Sequence, residues 1–101
     1  MGTWAPITLA RLNELIEQQI SDCSEEMRAI FARYRIEPVQ AGIDRGEGIE
    51  YVFVVARNGA EVMYFEDVEE GFNFSRLDVD GSILEPGYEQ DPLKWSLRRW
   101  T

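Results

Sequence analysis

Apolar and polar positions follow two different periods along this chain, and the change of period divides it in two. From Leu9 to Tyr34 the residues Leu9, Leu12, Ile16, Ile20, Cys23, Met27, Ile30 and Tyr34 recur at steps of three or four. At about 100° per residue these positions fall within an arc of about 80°, a single stripe along a helix. Thr8 is a fitting N-cap and Pro38 a stop. Ser21 and Ser24 can each cap a new helix. The stripe nevertheless stays in phase across them, so the spacing predicts one long helix, on the order of 40 Å, bent at most.

Beyond Pro38 the period becomes two. Ile49 to Arg57 reads as a strand, Asn58-Gly59 as a two-residue type I′ turn, and Ala60 to Glu66 as the returning strand. That turn sets Arg57 opposite Ala60, Val55 opposite Val62, Phe53 opposite Tyr64 and Tyr51 opposite Glu66. One hairpin face then carries Tyr51, Phe53, Val55, Val62 and Tyr64, and the other Val52, Val54, Met63 and Phe65. Both faces are apolar, so the sheet needs cover on both sides.

A further strand is expected from Phe72 to Val79, with Asp80-Gly81 turning into Ser82 to Glu85, and another around Val39 to Asp44. Asp91-Pro92 reads as an N-cap followed by proline at the first helical position. Leu93, Leu97 and Trp100 then recur at helical spacing. The expectation is a single α+β domain over residues 1–101. A long N-terminal helix packs on a four- to five-stranded antiparallel meander, and a short C-terminal helix with Trp95 and Trp100 covers part of the second sheet face.

Composition agrees with one core. The 101 residues are 45% apolar, which suits one domain and leaves no room for two. The N-terminal residues show no basic region followed by an apolar run, and the longest apolar stretch, Tyr51 to Ala56, is far too short to span a bilayer. Cys23 is the single cysteine, so no intrachain disulfide can form, which favours a reducing compartment. Asp22, Glu25 and Glu26 beside it disfavour a thiolate, so Cys23 is expected to pack and not to react. A cytoplasmic location follows as the expectation.

The chemistry-bearing residues are few. There is no histidine, which removes the commonest general base and every Ser-His or Cys-His nucleophile pair. With one cysteine, a zinc site of Cys and His is excluded. Gly42, Gly46 and Gly48 match neither nucleotide-binding fingerprint. Asp78-Val79-Asp80-Gly81 has the opening of a calcium loop without its later ligands. No metal or cofactor is expected. A carboxylate-based enzyme or a ligand-binding domain would need two acids held about 5–10 Å apart in a cleft, and it stands here as the least favoured class.

Charge is the more informative property. Residues 61–91 hold ten acids against one base, Arg76, while the other segments nearly cancel, so the net charge of −9 is concentrated there. Such a field repels nucleic acid and anionic membranes and speeds encounter with a basic protein. The simpler role of these acids is to keep the domain in solution. The leading expectation is a non-catalytic protein-binding module. It would use Glu66, Asp67, Glu69, Glu70, Asp78 and Asp80 to engage a basic partner. The order of elements resembles, in architecture alone, several small immunity and adaptor proteins, which neutralise or bridge a partner through an acidic surface. The alternative is a homodimer joined through the second, apolar sheet face; monomer and homodimer both remain open.

Overall fold

A computed structural model of the chain describes residues 6–46 and 48–101. In chain order the elements are α1 (Leu9–Ser21), α2 (Glu25–Tyr34), β1 (Arg35–Asp44), β2 (Ile49–Asn58), β3 (Glu61–Glu66), β4 (Gly71–Arg76) and α3 (Leu93–Ser96), which runs into a 3-10 turn, Leu97–Trp100. The α+β class and the antiparallel meander, ordered β1-β2-β3-β4, are as expected, with four strands. No helix among the described residues is long and apolar enough to cross a membrane.

The expected single helix is two. The Ser24 hydroxyl accepts a hydrogen bond from the Met27 amide at 3.2 Å and starts α2. The Arg28 guanidinium reaches back to the carbonyls of Ile20 and Ser21 at 3.1 and 3.2 Å, satisfying acceptors that the end of α1 leaves open. The cap and this arginine together outweigh continuity of the stripe. The break also turns α2, so that Phe31, outside the stripe, is fully buried while Met27 and Ile30 are only half-buried.

The β2–β3 register differs from expectation by one residue. Asn58 pairs with Glu61, leaving Gly59-Ala60 as the loop, and the register shifts between Val54 and Ala56. Gly59 has φ +63° and Asn58 does not enter the positive-φ region, so the type I′ conformation expected at Asn58-Gly59 is not adopted. Phe53 consequently faces Phe65 and Val54 faces Tyr64. Met63 and Phe65 share a face with Phe53 and Val55, and Val62 and Tyr64 share the other with Val52 and Val54.

The two N-terminal helices and the C-terminal segment pack on the first of these faces. Leu12, Ile16 and Phe31 of α1 and α2, with Leu93 and Leu97 of the C-terminal segment, close over Val55, Met63, Phe65 and Phe72. The C-terminal helix therefore does not cover the second face. Pro92, not Asp91, is its N-cap, because the Asp91 carbonyl accepts from the Phe72 amide at 2.9 Å.

The second face is filled from elsewhere. Beyond β4, Leu77 bridges Ile83, the Leu84 amide donates to the Arg76 carbonyl at 3.0 Å, and the Ile83 amide donates to Gly42 of β1 at 2.7 Å. The sheet is thus curled until its two borders are joined through Ile83. Ala41, Ile43, Val52, Val54, Val62, Tyr64 and Ile83 make a second core inside the curl. Val52, Val54, Val62 and Tyr64 are each at most 2% exposed, so these residues are already covered within the chain.

Residues 84–91 then run as a strap along β4. The Asn73 side chain accepts from the Glu89 amide at 2.9 Å and donates to the Glu89 carbonyl at 3.1 Å, imitating a strand partner. Gly71 has no side chain for a steric reason: a Cβ there would overlap the Glu89 carbonyl and the Gln90 backbone.

Candidate functional site

The six acids expected to form one surface lie in three places. Glu66 and Asp67 are buried, at 0% and 8% exposure. Alternation along β3 turns Glu66 to the same side as Val62 and Tyr64, into the end of the second core. Arg45, just beyond β1, meets it there. One guanidinium nitrogen lies 2.6 Å from Glu66 Oε2 and the other 2.7 Å from Glu50 Oε1, with Asp67 Oδ1 at 4.0 Å. Glu66 Oε1 accepts from the Val68 amide at 2.7 Å, and Asp67 Oδ2 from the Ile7 amide at 3.0 Å.

Titration follows from this packing. Burial alone would pull the Arg45 pKa down, but the Glu66 hydrogen bond and the surrounding carboxylates outweigh it and raise it. Burial pushes the Asp67 carboxyl up, against the hydrogen bond from Ile7. Glu66 is thus enclosed in the fold and Asp67 is reached only through the cleft beside the turn, so neither lies on an open acidic surface as expected.

Glu69 and Glu70 occupy the turn from β3 to β4. Glu70 has φ +59°, and it alone among the described non-glycine residues adopts a left-handed conformation. Sustained backbone strain of this kind requires a surrounding structure that over-determines the turn. Here that structure is the Arg45–Glu66 pair, whose carboxylate holds the Val68 amide from beneath. Val68 itself is 46% exposed at the tip.

The strap brings further acids to this turn. Gln90 Nε2 donates to Glu69 Oε2 at 2.8 Å, which seats Glu89 and Asp91 on either side of Gln90 next to the turn. Glu69, Glu70, Glu89 and Asp91 form no ion pair with any described residue. By contrast Glu61 is held by Arg99, and Glu85 by Arg76. Beside the turn a cleft of about 320 Å³ is lined by Ile7, Arg11, Leu15, Phe65, Asp67, Val68 and Glu70.

Asp78 and Asp80 lie at the opposite end of β4, about 20 Å away for a six-residue strand. Each serves its own turn. Asp78 Oδ1 accepts from the Val79 amide at 2.7 Å, and Asp80 Oδ1 from the Ser82 amide at 2.9 Å. Hydrogen bonds from Ser82 hold the Asp80 carboxyl below the usual carboxylate range. They do not join Glu69 and Glu70 in one site.

Arg45, Gln90, Glu89 and Asp91 were not among the expected site residues. Glu89 and Asp91 fall inside the acidic stretch, but nothing in the local pattern shows that the strap returns to the β3–β4 turn. Among the described residues no three Cys, Asp or Glu side chains are arranged to hold a metal ion. Cys23 is buried, and burial, ahead of the neighbouring charges, raises its thiol pKa. Comparison with protein-family models, curated proteins and solved structures finds no match to this chain.

Proposed function

We propose that this domain is a non-catalytic protein-binding module, working in the cytoplasm, that offers the β3–β4 turn to a basic surface of a partner protein. The observation that carries the reading is the turn itself. Glu69 and Glu70 follow an exposed Val68 on a backbone braced by a buried ion pair, Gln90 ties the strap that carries Glu89 and Asp91 to Glu69, and none of these four acids forms an ion pair with a described residue. Carboxylates without ion pairs to described residues on a braced support are placed to meet cations from outside, and the exposed apolar residue preceding Glu69 supplies an anchor. The lack of histidine and the single buried cysteine favour binding over bond-breaking chemistry.

Charge reversal tests the reading. Affinity capture from lysate of the source cells is compared for the wild type, for E69K/E70K/E89K, and for E14K/E17K/E37K as a control on α1 and β1. The expected result is a partner held at low salt, released at high salt, lost by the first variant and kept by the control. Identical capture by both variants would remove the turn from the interface.

A further inference from the structure

A second surface lies where the junction of α1 and α2 meets α3. The groove there, about 270 Å³, is lined by Met27, Trp95, Asp22, Ser24, Lys94 and Arg98. Trp95 is 49% exposed, and the Arg98 guanidinium lies over its ring at 4.4 Å from the centroid. That stacking holds the indole in place before any partner arrives. Tryptophan, methionine and arginine are the residues enriched at the centres of protein interfaces.

The two banks carry opposite charge. The junction bank has Asp22, with Glu25 at the start of α2, while Glu26 lines the neighbouring cleft with Ile30, Arg33 and Trp100. Arg28, on the same helix, is engaged with the carbonyls of Ile20 and Ser21. The other bank has Lys94 and Arg98. None of Asp22, Glu25, Glu26, Lys94 and Arg98 forms an ion pair with a described residue.

A partner of uniform sign would meet like charge on one of these banks. A second copy related by a two-fold axis running along the groove would not, because that rotation sets each acidic bank against a basic one. We propose that this groove is the interface of a homodimer, in which the Trp95 rings of the two copies pack over each other's Met27. This dimer does not use the second sheet face and stands independently of the acidic turn.

Sedimentation over a range of concentrations tests it, with circular dichroism confirming that each variant is folded. The wild type is expected to dimerise reversibly, and Trp95→Ser, an exposed position, to be monomeric. K94E/R98E has two acidic banks and D22K/E25K has a basic bank in place of an acidic one, so each alone is expected to be monomeric. Mixed together they restore opposite charge across the groove and are expected to form a heterodimer. A monomeric wild type, a W95S variant that dimerises like the wild type, or a mixture that stays monomeric would each overturn the proposal.

Discussion

The Arg45 guanidinium closes on the fully buried Glu66 carboxylate at 2.6 Å, from a position twenty-one residues earlier in the chain. A pair of this kind is costly to break from one side, since the survivor is left charged in a desolvated site. Arg45→Met is therefore expected to lower stability by about 3–5 kcal/mol. The double variant R45M/E66L is expected to recover most of that loss. Urea unfolding checks this through the midpoint at unchanged slope. Simple addition of the two single losses in the double variant would mean that the charges do not act as a pair.

Glu61 gives the pH dependence. Its carboxyl lies below the ordinary range because Arg99 donates to it, with a smaller contribution from Trp100, and burial opposes both. A depressed folded value means that the contribution is present above the unfolded value of 4.5 and is lost as pH falls through the folded one. Arg99 is more than half exposed, so solvent screening limits the effect to about 1 kcal/mol. Wild-type and Glu61→Gln stability curves should be separated at neutral pH and converge in acid. Parallel curves down to strongly acidic pH would contradict the assignment.

The strap supplies the third prediction. Gly71→Ala places a methyl group against the Glu89 carbonyl and the Gln90 backbone, both main-chain atoms that cannot swing away. Overpacking of this kind costs about 1–3 kcal/mol. Gly46→Ala, by comparison, meets open space and costs only the strain of a positive φ. The melting temperature of G71A should fall further than that of G46A, with faster hydrogen exchange at the Glu89 amide. Equal losses would mean that the strap contributes nothing to stability.

How far the chain can be read without coordinates depends on distance along it. The change of period at Pro38 locates helices and strands because each pattern is local. The meander order follows because sequential strands joined by short turns pair with their neighbours. The break at Ser24 was a contest between two local signals, and the cap prevailed. The hairpin register turned on one residue, since a single bulge near Val55 moves every later side chain to the opposite face.

The candidate site was legible only in its charge. Glu66 and Asp67 look identical in sequence to their neighbours Glu69 and Glu70, and what separates them is Arg45, which is far away in the chain. The strap was equally hidden. Residues 85–91, Glu-Pro-Gly-Tyr-Glu-Gln-Asp, have no apolar period, and they are held by Asn73 and by a glycine that permits close approach.

The joining of the sheet borders has a consequence for what this domain can recognise. Many modules bind by accepting an extended segment of another chain as one more strand, which requires a continuous row of vacant main-chain donors and acceptors. Here residues 84–91 occupy that row on β4, and Ile83 occupies part of it on β1, where Pro38 also removes a donor. Lateral growth of the sheet is thereby obstructed along β4 and at the Gly42 end of β1.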